Sequence, residues 1–284
     1  MEKEILKRYE LWLNSDYLDK EDREELMSIK GNDAEIENRF YTDLSFGTAG
    51  MRGIRGIGKN RINKYNIRKA TQGLANYIIK NTYNSNAIEG NTLTEIETKV
   101  IIETGITIAK KTLREHLEVK NHAEALLFIE ELKDRKLSEY DIKLIHSIIL
   151  SGIDRINAGK YRNANGRIGG ASHDVAPSHL ISQEIYALLS WYNESPITIN
   201  KIIEFTCRFI NIHPFIDGNA RTSRLLTNLE LLKLGYPPIT ILTVDRLEYY
   251  QALDKSYYED YSLAYDFFYN CIIETLEEYL SYTK

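Results

Sequence analysis

Apolar residues recur at three- and four-residue spacings along most of the chain, the period of helices that each bury one face. Ile142, Ile145, Ile148 and Ile149 form one such stripe behind Ser138, and Ile202, Phe205, Phe209 and Ile212 form another. The pattern predicts helices over about 2–13, 20–29, 66–80, 112–133, 180–193, 200–211, 219–234, 246–256 and 261–281, with a further one opening at Ser138. Thr94 followed by Glu97 reads as a capping box at another helix start. Strand-like alternation is sparse. Its best candidate is a hairpin over Lys160–Gly170, turning at Asn165-Gly166. No internal repeat or low-complexity segment interrupts the pattern, which describes a mainly α bundle carrying one hairpin.

Composition narrows the class without naming a function. A chain of 284 residues with 43% hydrophobic and 27% charged positions can bury one large core or two modest ones. This excludes a disordered, collagenous or disulfide-scaffold protein. No apolar run is long enough for a membrane span, and Met-Glu-Lys-Glu does not open a signal peptide. Cys207 and Cys271 each lie in an apolar stretch, so both read as buried free thiols of a cytoplasmic protein. No Cys/His cluster has metal-ligand spacing.

The net charge is −5, yet Phe46 to Lys80 holds eight basic residues and no acidic one. Aromatic residues hardly interleave it, with only Tyr65 and Tyr77 among the basic positions, so a phosphate-binding or solvated face is expected rather than nucleic acid. The same block opens with a loop, Phe46 to Gly58, whose five glycines suit close approach to an anion. Gly53 to Asn60 stops one hydroxyl short of a nucleotide-binding P-loop, because Asn60 stands where a Ser or Thr would hold the metal. No apolar strand precedes it, so a P-loop is rejected.

The chemistry concentrates between Thr206 and Arg224, T-C-R-F-I-N-I-H-P-F-I-D-G-N-A-R-T-S-R. Pro214 ends the preceding helix, and a new one opens near Asn219 behind Gly218. A loop entering a helix N-terminus presents free N–H groups to an anion. Arg221 and Arg224 sit one turn apart in the first turns of that helix, where cations oppose the macrodipole unless an anion such as polyphosphate is bound. Asp217 suits a Mg²⁺ ligand and His213 a general base. Singly, His213 reads sooner as a satisfied core histidine and Asp217 as a helix cap. Together the string reads as phosphoryl or nucleotidyl transfer.

These residues resemble the Fic signature, H-P-F-x-[D/E]-G-N-G-R-x-x-R, with Ala220 in place of its usual second glycine. The resemblance covers residues 81 to 284 and implies a Fic-type helical bundle with one β-hairpin flap. It implies transfer of AMP from ATP, with Mg²⁺ as cofactor, to a Tyr, Thr or Ser hydroxyl of a target protein. His213 would be the catalytic base, Phe215 the loop anchor and Asp217 the metal ligand. Gly218, Asn219, Ala220, Arg221 and Arg224 would bind ATP phosphates, with Arg224 on the γ-phosphate. Gly159 to His173 resembles the flap, in which Lys160, Tyr161, Arg162, Gly169 and Gly170 would dock the target by strand addition. Ser85, Glu89 and Gly90 match the inhibitory pattern [S/T]-x-x-x-E-[G/N], in which the glutamate would pair with Arg224 and block the γ-phosphate.

His122 and His146 read as structural or surface residues. The C-terminal tyrosines Tyr249, Tyr250, Tyr257, Tyr258 and Tyr261 read chiefly as packing, and any exposed ones are candidates for self-modification. Two other readings stay open: a nucleotide-sensing module without transfer, or an enzyme dominated by AMP removal or by another nucleotide donor. Neither the target nor the oligomeric state, including a homo-oligomer, is legible.

A second resemblance covers residues 1 to 80. F-G-T-A-G-M-R-G and the downstream I-R-K-A-T-Q-G-L-A-N-Y-I are similar to the N-terminus of phosphohexomutases, which implies a partial α/β segment. Their D-x-D-x-D-R metal site is missing, and Ala171-Ser172-His173-Asp174 only echoes their phosphoserine loop, so mutase activity is not expected. Such a piece of a βαβ unit cannot bury its own sheet, and residues 1 to 60 are expected to be loosely held.

Overall fold

The computed structural model describes residues 2–44, 46, 47 and 50–281, which divide into two compact units between Asn76 and Tyr77. In the first unit, helices α1 (Lys3–Leu13), α2 (Lys20–Ser28) and α3 (Asp33–Phe40) close around Ile5, Tyr9, Leu26, Ile36 and Phe40. Tyr9 keeps its hydroxyl satisfied inside this core by donating to the Leu26 carbonyl at 2.9 Å. Asn32 caps α3 by accepting the Glu35 N–H. After α3, β1 (Phe46–Gly47) pairs antiparallel with β2 (Gly50–Met51), Phe46 opposite Met51. Thr48 and Ala49 of the glycine-rich stretch lie outside the described residues.

The mutase-like expectation for this unit is not supported. Its described residues form three helices with their own apolar core instead of a fragment of βαβ sheet. The loose packing expected of residues 1 to 60 is overturned for the same reason. The end of the glycine-rich loop is also not an open anion cradle, because its donors are already used. Gly56 N–H bonds the Ile62 carbonyl, Ile57 N–H the Glu25 carboxylate and Asn60 N–H the Arg39 carbonyl. Ile57 itself is buried in the core.

Helix α4 (Lys64–Ile88) runs through the polar stretch N-T-Y-N-S-N, where the sequence pattern predicts a stop at Lys80. The polar residues face inward, with Asn81, Thr82, Asn84, Ser85 and Asn86 all buried. They tolerate this because each finds partners. Asn84 and Asn86 donate to carbonyls four residues back, and Asn81 donates to the Ile239 carbonyl and the Thr240 hydroxyl.

The second unit holds α5 (Glu95–Thr104), α6 (Leu113–Phe128), α7 (Glu139–Ile149), α8 (Ile181–Glu194), α9 (Ile199–Ile212), α10 (Asn219–Lys233), α11 (Arg246–Ser256) and α12 (Ser262–Ser281). Capping boxes open three of them: Thr94/Glu97 on α5, Thr112/Glu115 on α6 and Ser138/Asp141 on α7. The helix predicted to 133 ends at Phe128 and continues as a 3-10 turn, Ile129–Leu132. Helix α10 is buried around nearly its whole circumference, against α9, α7 and α6. It is therefore the axis of the bundle, and packing along its length fixes where its N-terminus lies.

The predicted hairpin is not formed. Residues 160–173 contain turns and bends but no strand. Its groups are engaged elsewhere, since Arg162 N–H bonds the Pro214 carbonyl, Asn165 Oδ1 accepts the Ser178 N–H and Ala171 N–H bonds Ile168. No helix of the described residues is long and apolar enough to cross a membrane.

Phe40→Ala should destabilise the first unit by about 3–5 kcal/mol through lost burial and a cavity. In a Trp191→Phe background Trp12 is the sole tryptophan, and its urea transition should move to lower denaturant. An unmoved transition would mean that the three helices share no core.

Candidate active site

Helix α9 ends at His213, which takes a left-handed conformation with φ 51° and ψ 60°. This is unfavourable for a residue with a Cβ and persists only where neighbours hold it. Here the His213 N–H bonds the Phe209 carbonyl at 3.1 Å, and Arg162 Nε donates to the His213 carbonyl at 2.8 Å. The left-handed residue turns the chain sharply out of α9 and carries the imidazole into the mouth of the loop.

Phe215 anchors that loop. It is fully buried and stacks on the His146 ring with centroids 3.6 Å apart and planes 3° from parallel. The Asn219 carboxamide closes the turn from the other end, accepting the Phe215 N–H at 2.9 Å and donating to its carbonyl at 2.8 Å. Asn219, expected as a phosphate ligand, thus has its side chain committed to loop shape.

His146 then sets the height of the loop. Its Nδ1 accepts the Gly159 N–H at 2.9 Å, so Nε2 carries the proton and donates to the Asp217 carbonyl at 2.9 Å. Gly218 sits at φ 78°, and a Cβ there would meet the His146 ring at 3.4 Å. The positive φ, rather than lack of space, is what favours glycine here. No side chain caps α10, so the N–H groups of its first turn are left for an anion. Ala220 lies within the regular helix, where its methyl group carries no backbone strain.

Charge is arranged around this nest. Asp217 accepts the Gly218 N–H at 2.6 Å, pairs with Arg221 at 3.3 Å and takes a hydrogen bond from Arg114. Burial by itself would raise its pKa, but Arg221, the Gly218 N–H and Arg114 together hold it below the usual carboxylate value. Arg221 is buried and also faces Glu118 at 3.4 Å. Arg224, one turn on, is buried over the face of Tyr249. Its Nε donates to Ser85 Oγ at 2.9 Å, its Nη2 to the Ser85 carbonyl at 2.7 Å, and its Nη1 pairs with Glu89 Oε1 at 3.0 Å. Gly90, at φ 96°, lets the chain turn away directly after Glu89.

The imidazole of His213 is largely buried, and burial pushes its pKa down to about 4. The Arg162 guanidinium is the second contribution in that direction, while the Ile210 carbonyl, Glu89 and Asp217 act in the opposite one. His213 is therefore a neutral base at pH 7. As for a metal, the donor set beside the nest is one ionised carboxylate. Among the described residues no group of three or more His, Cys, Asp or Glu could build an all-protein cage. That chemistry fits Mg²⁺, which takes a carboxylate or two and completes its shell with phosphate oxygens and water.

Of the residues expected on the flap, Lys160, Gly169 and Gly170 are exposed, whereas Tyr161 and Arg162 turn inward. Tyr161 packs on Phe215 with centroids 5.4 Å apart, and Arg162 is buried among backbone carbonyls. The structure thus gathers His213, Phe215, Asp217, Gly218, Asn219, Arg221 and Arg224 with Ser85 and Glu89, and leaves Tyr161 half-buried and Arg162 buried. Three contributors were not singled out from the sequence. Glu118 and Arg114 form an i,i+4 pair on α6 that gives no sign of its distant partners Arg221 and Asp217. Gly159 looks like any turn glycine until its N–H meets His146. Of the C-terminal tyrosines, Tyr249 is fully buried, while Tyr257 and Tyr258 are exposed.

Residues 136–231 match the family model described as Fic/DOC family. Over 208 residues the chain is 33% identical to a protein adenylyltransferase Fic of Nematostella vectensis, spanning 71% of this chain and 48% of that protein. It is 35% identical over 179 residues to protein adenylyltransferase fic-1 of Caenorhabditis elegans, across 60% of this chain and 35% of that one. The chain thus spans about half the length, or less, of the curated relatives it matches. Among solved structures, a Fic domain-containing signaling protein of Bacteroides thetaiotaomicron superposes with a TM-score of 0.69 at 27% identity, over 74% of this chain and 88% of that one. Fic-1 of C. elegans superposes at 0.67 with 27% identity, over 78% and 66%. None of these matches supports the mutase-like reading of residues 1 to 80.

The buried imidazoles make stability depend on acidity. His122, His146 and His213 have pKa values near 3, 4 and 4, all depressed from 6.5 first by burial. Unfolding lets each take up a proton between pH 6.5 and its folded value. Their contribution is therefore intact above about pH 6.5 and is lost progressively as the pH falls towards 4. The urea midpoint should decline across that window, and a flat midpoint from pH 7 to 4.5 would contradict the burial of all three.

Proposed function

We propose that this chain, through the Fic domain it carries, is a protein adenylyltransferase that moves AMP from ATP to a hydroxyl side chain of a target protein and is held inactive by its own Glu89. The observation that carries the reading is Arg224, whose three guanidinium nitrogens are all engaged by the segment Ser85–Glu89. A guanidinium held this way, one turn from an open helix N-terminus, is suited to a terminal phosphate, and the Glu89 carboxylate stands against one there. The curated relatives named protein adenylyltransferase support the same activity.

In this reading the first turn of α10 and Arg221 receive the phosphate chain, and Arg224, once released, grips its γ-end. His213, neutral at pH 7, accepts the proton of the target hydroxyl as that oxygen bonds the α-phosphorus. The bond from the α-phosphorus to the bridging oxygen breaks, and pyrophosphate leaves. Asp217 would hold Mg²⁺, which when bound offsets the charge of the phosphates. The exposed flap stretch, 163–170, would lay a target strand beside it and present its Tyr, Thr or Ser hydroxyl. A reducing, cytoplasmic setting belongs to the same proposal, since Cys207 and Cys271 are both buried free thiols. Glu89 opposes the reaction twice: it occupies Arg224 and adds negative charge where the γ-phosphate would lie.

Incubation with Mg²⁺, α-labelled ATP and a cell lysate tests this. Glu89→Gly should raise protein labelling at least about tenfold, equivalent to ~1.4 kcal/mol. Adding His213→Ala to that variant should lower labelling by about 10²–10⁴-fold. Equal labelling with and without His213 would refute the base. No labelling by any variant, despite ATP binding, would refute the transfer.

A further inference from the structure

Arg162 is 4% exposed and belongs to a segment whose neighbours on either side reach solvent. A buried arginine normally meets a carboxylate. This one meets only carbonyls. Its Nη1 donates to Ala164 at 3.0 Å, in the first arm of the flap, and its Nη2 to Ala176, where the chain continues beyond the second arm. Its Nε donates to His213 at 2.8 Å and its Nη2 also to Ile212 at 3.3 Å, the end of α9. Its backbone N–H adds a bond to Pro214 at 2.9 Å. Burial, uncompensated by any anion, lowers its pKa from the ordinary arginine value, yet an arginine remains charged at neutral pH.

We propose that Arg162 is a positioning residue that locks the flap to the catalytic loop and so fixes the distance between a target docked on the flap and the imidazole of His213. The inference rests on the adenylyltransferase reading above. No strand ladder joins the two arms of the flap, and the guanidinium fork ties the first arm to the chain beyond the second. The same fork holds the carbonyl of His213, the residue whose left-handed backbone must be maintained. A planar group with five donors spans four carbonyls, and an ammonium on a longer stem does not. The charge has a second effect. The groups facing His213 are Arg162 from the flap, Glu89 from the turn after α4 and Asp217 from the loop, and Arg162 alone of these disfavours a protonated ring.

Two variants in the Glu89→Gly background separate the two effects. Arg162→Lys keeps the charge and loses the fork, and Arg162→Gln loses both. In each, hydrogen exchange at flap amides 163–176 should rise at least about tenfold while the amides of α9 and α10 keep their protection. Calorimetric affinity for Mg²⁺ and ATP should stay within about twofold of the parent, and labelling of lysate protein by α-labelled ATP should fall at least about tenfold. NMR titration of His213 should move towards 6.5 in Arg162→Gln and stay low in Arg162→Lys. Flap exchange unchanged in either variant would overturn the proposal. So would an equal rise across α9 and α10 with loss of ATP affinity, which would make Arg162 an ordinary core residue. A His213 titration unmoved in Arg162→Gln would overturn the electrostatic part. Failure of the Glu89→Gly parent itself to label protein would instead count against the adenylyltransferase reading, while the exchange and titration results still decide the role of Arg162.

Discussion

Everything at the site depends on one turn, from Ile212 to Asn219, in which the chain leaves a buried helix and enters another without capping it. The turn needs a left-handed histidine, a buried phenylalanine, a glycine at positive φ and an asparagine that ties its own loop. None of these conformations is favourable alone. They coexist because His146 fills the space beneath the loop, stacking on Phe215, supporting the Asp217 carbonyl and lying against Gly218. Arg162 does the corresponding work above it. The result is a helix N-terminus with open donors at the mouth of a packed bundle, a place where an anion is stabilised by geometry that already exists.

The charges around the nest explain why an open site need not be an active one. Arg221 is shared between Glu118 and Asp217, and Arg224 between Ser85 and Glu89. Both cations that face the expected polyphosphate are thus neutralised within the chain. For Arg224 this is more than screening, because the Glu89 carboxylate stands on the Nη1 edge of a buried guanidinium whose Nε and Nη2 already hold Ser85. In the proposed function Glu89 is the partner that leaves. It lies at the end of a helix, beside a glycine, and its side chain is partly exposed, whereas Ser85 is buried within α4.

Much of this was legible in the sequence, for reasons that are themselves physical. The stripes of α7 and α9 mark buried faces, capping boxes mark helix starts, and Pro214 and Gly218 bracket the loop whatever surrounds it. The string from His213 to Arg224 carries its chemistry within a single turn and two helix ends, so spacing alone brings its members together. Legibility fails where inward-facing polarity mimics a loop. The run Asn81 to Asn86 reads as a turn because its partners, Ile239 and Thr240, lie far along the chain. Arg162 reads as a target-docking residue through the resemblance to the flap, and nothing beside it in the sequence marks it as buried. Its carbonyl partners are backbone atoms, which leave no mark on a sequence. His146 was visible only as a polar interruption of an apolar stripe. In the N-terminal unit a glycine-rich string suggested a sheet fragment, yet Glu25, Arg39 and Ile57 draw its end into a helical core.

The central claim is that Glu89 and the γ-phosphate compete for Arg224. Structures of the wild type and of Glu89→Gly, each soaked with Mg²⁺ and ATP, test it most directly. The account predicts that in the variant Arg224 contacts the γ-phosphate and the metal sits against Asp217, while in the wild type the Glu89–Arg224 pair persists and the α-phosphorus lies out of line with His213. An identical ATP pose in the two proteins, with Arg224 still on Glu89 in the wild type, would contradict it.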